Sequence, residues 1–176
     1  MRPSADQEAL FKSWLGEHGG ILARVGRSYA ASASEAEDLR QDMMLQLWTS
    51  LSSFRGQAKP STWIYRVCLN TALTWRRDDS RRSRRVESRG DLGDVASASA
   101  SPAESAGDRD VLEKLYEAIH AMPPFDRALV LLLLDGLSYR EISAVTGMTE
   151  NHVGVALTRA RRRLAEIMKG TTDELE

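Results

Sequence analysis

One cysteine, Cys68, stands in 176 residues, so no internal disulfide can form, and three scattered histidines give no metal-ligand spacing. That excludes a disulfide-stapled scaffold and a zinc module, and it fits a reducing, cytoplasmic compartment. Apolar runs are short as well. The longest, Ala128 to Leu134, falls far below the ~20 residues that cross a bilayer. Met1 to Glu8 carries neither the basic start nor the apolar core of a signal peptide, so membrane insertion is not expected. Aromatics are only 6% of the chain, and strand-like alternation persists nowhere. No nucleophile sits beside a base, no phosphate-cradling glycine loop occurs, and paired acids such as Glu37-Asp38 are neighbours on one segment rather than across a pocket. Catalytic residues, bound metal and cofactors are therefore not expected: this reads as a binding protein, not an enzyme.

What is present is ordinary soluble composition, 42% hydrophobic and 28% charged, with a net charge of only −1. The charges are unevenly placed. Arg66 to Arg89 holds eight arginines against three acids, a net of +5; Asp91 to Glu117 is acidic; and Arg159 to Arg163 has four arginines in five positions. Any nucleic-acid function must come from this placement and not from the overall balance.

Apolar periodicity divides the chain in two. From Ala9 to Trp75 it reads as helices, with Gly19-Gly20, Ser32 to Ser34 and Gly56 to Pro60 as interruptions. Serine, alanine, glycine and aspartate then dominate from about Ser88 to Asp108, too little apolar surface to offset chain ordering, and a flexible linker is expected there. Periodicity resumes at Val111, Leu112, Leu115, Ile119 and Met122, stops at Pro123-Pro124, and restarts over Phe125 to Leu134. The fold class expected is all-α, two small helical bundles joined by that linker, with a frayed polar tail from Gly170.

Near the end, Tyr139 to Val145, a turn at Thr146-Gly147-Met148 and a longer helix capped by Thr149 form a helix-turn-helix pattern, Gly147 supplying the positive φ. On the second helix Val153, Leu157, Ala160 and Leu164 fall on one side and form the buried face. Opposite lie Asn151, Val155, Thr158 and Arg162, flanked by His152 and Arg159. Short polar and methyl groups followed by guanidinium groups suit a helix that reads base edges at its start and holds phosphates further on. A solvated arginine run is the alternative; four crowded arginines with no nearby anion favour DNA.

In the first half, a helix over Ala36 to Phe54 puts Met43, Met44, Leu47, Leu51 and Phe54 on a core side. Its other side carries Asp38, Gln41, Asp42, Leu45 and Thr49, an apolar anchor in an acidic and amide rim, which is what a protein-docking face needs; a solvated face with one stray leucine fits these residues equally well. The next helix, Thr62 to Arg77 with Ser61 as its cap, is apolar on two sides and must be central. Trp63 is assigned to its packing, and Cys68 is a buried filler. Arg66, Asn70 and Arg77 form its remaining strip, suited to an unpaired or distorted nucleic-acid strand.

These segments resemble a known family. Ala36 to Asp42, Leu47-Trp48, Phe54-Arg55-Gly56 and Thr62 to Arg66 with Asn70 resemble the second conserved domain of extracytoplasmic-function sigma factors of bacterial RNA polymerase. Met122 to Arg127, Gly136 to Ile142 and Arg159 to Leu164 resemble their fourth domain. The resemblance implies sigma domain two over 1–86, linker 87–108, sigma domain four over 109–170 and a tail 171–176. It implies that Asp38, Gln41, Asp42, Leu45 and Thr49 dock on core RNA polymerase. Arg55, Gln57, Lys59, Ser61, Arg66, Asn70 and Arg77 would meet the single-stranded −10 element of promoter DNA. Thr149, Asn151, His152, Val155, Thr158, Arg159 and Arg162 would meet the double-stranded −35 element. An anti-sigma factor is implied as a further partner. Two stretches depart from the pattern: Gly154-Val155-Ala156 stands where many relatives carry serine and arginine, and Pro60-Ser61 where an aromatic and a basic residue are frequent. The competing reading is a helix-turn-helix regulator whose first domain senses a ligand.

Overall fold

A computed structural model describes residues 5–86 and 106–173, with side chains described over 6–77 and 111–170. Helix α1 (Ala5–Tyr29) runs unbroken through Gly19-Gly20, against the expectation of an interruption there. Each glycine costs a helix about 1 kcal/mol, but Ile21, Leu22, Val25 and Tyr29 on the following turns are all buried. That tertiary burial outweighs the local penalty. Gly26 on the same helix serves packing: a Cβ there would meet the carbonyl oxygen of Ala36 at 3.2 Å, so its absence lets the next helix cross closely.

Helix α2 (Ala33–Ser50) begins after Ser32, whose hydroxyl accepts from the Glu35 amide while the Glu35 carboxylate accepts from the Ala31 amide at 2.7 Å. Leu39, Met43 and Leu47 are buried at spacings of four. The helix ends at Ser50, and a 3-10 turn, Leu51–Ser53, carries the chain to Phe54, four residues short of the single helix expected. Phe54 then packs edge-on against Trp14 and Trp63, with ring centroids 4.9 and 5.5 Å away. Trp63 is thus core packing, as its position on the wheel implies.

Helix α3 (Pro60–Val86) starts two residues earlier than expected. Proline at the first helical position sacrifices only an amide that would be unpaired anyway, and the Trp63 amide bonds back to the Lys59 carbonyl at 3.1 Å. Ser61 therefore lies inside the first turn and is not the cap. Ile64, Tyr65, Cys68, Leu69 and Ala72 are buried, so this helix is the centre of a three-helix bundle with α1 and α2. Burial pushes the Cys68 thiol up to about 12, which leaves it inert filler.

Helix α4 (Ala106–Ala121) opens within the expected linker, three residues before the anticipated boundary; the rest of that linker lies outside the described residues. Helix α5 (Pro124–Leu134) follows with proline again at its start and is buried from Arg127 through Leu132. Helix α6 (Tyr139–Thr146) is held by a full capping box between Ser138 and Glu141 and stops at Gly147, whose φ of 77° is the left-handed turn foreseen from its sequence. Helix α7 (Glu150–Asp173) closes the second bundle, with Val153, Ala156, Leu157 and Ala160 buried. Among the described residues there is no strand.

The two bundles touch. Helix α1 packs on α4 and α5, and α3 packs on α5 and α6, so that one contiguous apolar cluster runs through both.

Candidate partner and nucleic-acid interfaces

Three faces result from this arrangement. On α2, burial of Leu39, Met43 and Leu47 turns Asp38, Gln41, Asp42, Leu45 and Thr49 outward, and all five are exposed, Leu45 by 56%. The Gln41 amide donates to Glu37 at 3.2 Å, and Thr49 returns its hydroxyl to the Leu45 carbonyl at 2.9 Å. Arg40 grips Glu37 through Nε and Nη2, which with the Gln41 bond holds the Glu37 carboxyl down at about 2. Asp38 and Asp42 form no ion pair among the described residues. The strip is thus an apolar anchor beside two carboxylates that have no ion-pair partner among the described residues.

The second face is the loop before α3 and one side of that helix. Gly56, with φ 70°, turns the loop. Arg55, Gln57 and Lys59 on it are exposed and Ser61 is half-buried; on α3 the exposed positions among those described are Arg66, Asn70, Thr74 and Arg77. Among the described residues Arg77 donates to the Thr74 hydroxyl at 3.2 Å. Loop and helix thus each expose cations and amides, and Phe54 at the start of the loop packs against Trp14 and Trp63.

On the third face, the start of α7, the Thr149 hydroxyl accepts from the His152 amide at 3.4 Å and the Thr149 carbonyl from Val153 at 3.0 Å, so Thr149 caps the helix. Asn151, His152, Val155, Thr158, Arg159 and Arg162 are all exposed, Val155 by 54%. Beside Gly154 the ring of Tyr139 on α6 lies 3.5 Å from where a Cβ would be, an ordinary van der Waals distance. The arginine run is less uncompensated than its sequence implies. Arg162 pairs with Glu166 at 3.0 Å, and Arg163 pairs with Asp126 on α5. Arg159 and Arg161 make no ion pair among the described residues.

Sequence reasoning missed the groups between the bundles. Arg127 is 98% buried and has no carboxylate partner among the described residues; its guanidinium donates to the carbonyl of Ser28 in the first bundle at 2.8 Å and to those of Met122, at 3.0 Å, and His120. It also lies 4.9 Å above the ring of Tyr29, whose hydroxyl donates to the Pro124 carbonyl at 2.6 Å. Burial raises the Tyr29 phenol far above its ordinary range and lowers the Arg127 guanidinium. Arg24 meets Asp135 at 2.9 Å, Lys59 meets Glu141 at 2.6 Å, and Arg27 stacks on Tyr116 at 4.0 Å. An arginine inside the apolar run of α5 was the one available sign.

Comparison with known proteins agrees with the two-bundle division. Residues 11–82 match the family described as Sigma-70 region 2, and residues 112–164 that described as Sigma-70, region 4. The chain is 27% identical to the RNA polymerase sigma factor CnrH of Cupriavidus metallidurans, over 97% of this chain and 92% of the relative. It is 29% identical to the extracytoplasmic-function sigma factor SigG of Mycobacterium tuberculosis, over 82% of this chain but 45% of that longer protein. Among solved structures it superposes on the sigma factor RpoE of Bartonella quintana, in complex with the anti-sigma factor NepR, with a TM-score of 0.73 at 23% identity, covering 90% of this chain and 96% of the other. It also superposes on CnrH in complex with the cytosolic domain of CnrY, with a TM-score of 0.63 at 21% identity over 93% and 90% of the two chains.

Proposed function

The chain belongs to the extracytoplasmic-function branch of the sigma-70 family, and from that premise we propose how its three exposed faces divide the work of starting transcription. It is an alternative sigma factor that binds core RNA polymerase, recognises promoter −10 and −35 elements and promotes strand opening. Asp38, Gln41, Asp42, Leu45 and Thr49 on α2 dock the polymerase, with Leu45 as the apolar anchor and the carboxylates meeting cationic groups on the enzyme. Arg55, Gln57, Lys59, Ser61, Arg66, Asn70 and Arg77 hold the opened −10 strand. Thr149, Asn151, His152, Val155, Thr158, Arg159 and Arg162 present α7 to the −35 major groove, with Val155 placed for a thymine methyl.

The observation that supports this division is the contrast along single helices. On α2 and α7 positions that are wholly buried alternate with assigned contact residues that are all exposed. A partner on those outer faces would cover Leu45 and Val155 and neutralise the like charges beside them.

No covalent chemistry is involved. The protein binds the open strand more tightly than the duplex, and that difference shifts the opening equilibrium. A base taken from the stack costs a few kcal/mol, which contacts from the loop and α3 offset. Work on polymerase and DNA places the protein in the cytoplasm, and an anti-sigma factor belongs among its partners, as it does for both solved neighbours.

Run-off transcription with purified core enzyme on a promoter library tests the reading. The parent chain gives promoter-specific transcripts, and Asp42→Arg, which is on the surface and leaves the fold intact, loses co-purification with core polymerase and most of the transcript. A chain that forms no stoichiometric complex with core enzyme, or an Asp42→Arg variant as active as the parent, overturns the assignment.

A further inference from the structure

The outer face of α7 is marked by what its first turns withhold. Between Thr149 and Thr158 there is no lysine or arginine. Val153, Ala156 and Leu157 are buried and Gly154 has no side chain, so Glu150, Asn151, His152, Val155 and Thr158 remain to meet base edges. A guanine is read best by a lysine or arginine that spans its two acceptors, O6 and N7. None of these five is built for that. Glu150 and Val155 have no donor, neutral His152 and Thr158 have one each, and the Asn151 amide sets a donor beside an acceptor, which fits adenine. The first guanidinium, Arg159, comes about 15 Å along the helix axis from Thr149.

Apolar surface stands where the donors are missing. Val155 is 54% exposed and lies one turn after Asn151 on the same strip. Beside it the backbone of Gly154 is bare: from the neighbouring elements only the ring of Tyr139, at 3.5 Å, comes within 4 Å of where a Cβ would be. That ring is itself 40% exposed. Thr158 turns its hydroxyl back to the Gly154 carbonyl at 2.9 Å, so its hydrogen is spent inside the helix. The result is a shallow notch, floored by Gly154 and flanked by the isopropyl group of Val155 and the aromatic carbons of Tyr139.

Major-groove base edges carry one apolar group, the methyl on C5 of thymine, and 5-methylcytosine bears the same group at the same place. Asn151 and Val155 are four residues apart, about 6 Å along the axis, which matches about two base steps at ~3.4 Å each. We propose that Val155, set beside the bare backbone of Gly154, is the specificity-determining residue of α7 and reads the C5 methyl of a pyrimidine. Asn151 then reads an adenine about two steps away, so the −35 element is A·T at its centre and depends on its thymine methyl groups. This rests on the −35 role assigned to α7 above and adds the chemistry that the helix selects.

Holoenzyme made from the full-length chain and core polymerase is presented with duplexes randomised over both promoter elements. The tightest binder is then rebuilt with deoxyuridine in place of each −35 thymine in turn. Uracil pairs as thymine does and lacks only the methyl. At the position read by Val155 the replacement weakens binding by about three- to five-fold, the burial of a single methyl group. Val155→Ala, at an exposed site where alanine favours the helix, binds the thymine and uracil duplexes alike; uracil sensitivity that persists in this variant overturns the proposal. A cytosine at the same position, with and without a C5 methyl, identifies the source. Recovery on methylation means that the notch takes the methyl from either base, and no recovery means that it is read only in thymine, with adenine opposite; both sustain the proposal. Gly154→Arg, whose Cβ fits at an ordinary contact distance from Tyr139, brings guanine into the selected sequences. An unchanged selection would place the Gly154 backbone away from the bases and overturn the notch. If duplexes are bound whatever their −35 sequence, the role of α7 itself falls. A selected −35 sequence without thymine, or one whose thymines all tolerate uracil, removes only the methyl reading.

Discussion

His120 sits half-buried beside two cations, and burial first, then Arg127 and Arg76, lowers its pKa below the ordinary 6.5. Well above pH 6.5 the imidazole is uncharged in both folded and unfolded chains and contributes nothing to the pH dependence. Below pH 6.5 the unfolded chain takes up the proton first, so stability falls as acid is added until the folded imidazole is protonated as well. Replacing His120 with Gln removes that component. Urea midpoints measured from pH 7 down to pH 5 fall less steeply for the variant than for the parent; parallel curves would show that His120 titrates alike in both states. Lys59 and Glu141 teach a related lesson at this scale: a residue's type tells what it can bind, and only its neighbours tell what it does bind.

Helix α7 carries its meaning along its length. The buried residues Val153, Leu157 and Ala160 fix its rotation, and that rotation alone turns Asn151, Val155 and Arg162 outward. Arg162 and Glu166 form a pair on the open surface, 84% and 64% exposed, worth about 0–1 kcal/mol and readily exchanged for a phosphate. Removing the guanidinium with Arg162→Ala weakens −35 binding for every sequence alike and lowers the slope of log affinity against log salt by about one. Fluorescence anisotropy on a −35 duplex over a range of salt measures it, and an unaltered slope removes Arg162 from the phosphate contacts. Helix limits were legible where a cap or a turn is written in the residues, as at Ser32, Ser138 and Gly147. They were misjudged where packing outweighs local preference, as at Gly19-Gly20 in α1, or where proline opens a helix two residues early, as at Pro60 in α3.

Across the whole molecule, the joint between bundles combines a buried guanidinium shared by three carbonyls, a phenol bonded to a carbonyl, and ion pairs at the rim. Buried polar groups of this kind cost free energy whenever a partner is removed. Tyr29→Phe keeps the ring against Arg127 and removes the hydroxyl's bond to the Pro124 carbonyl, a loss of about 1 kcal/mol. Its expected result is a lower melting temperature and a broader calorimetric transition, as the two bundles begin to unfold separately. A transition as sharp and as high as the parent's would mean that this bond does not couple them.

By itself the sequence determined two helical units, the pitch of each helix and which residues each must bury, because apolar periodicity and caps act within a few turns of chain. From the same periodicity came the outward sets on α2, α3 and α7, since a side that is not buried faces solvent or a partner. Only the tertiary structure decided that the units pack together, that Arg127 is the buried cation between them and that Glu141 occupies Lys59. Those pairings join residues tens of positions apart, and no local pattern records which of two distant surfaces will meet.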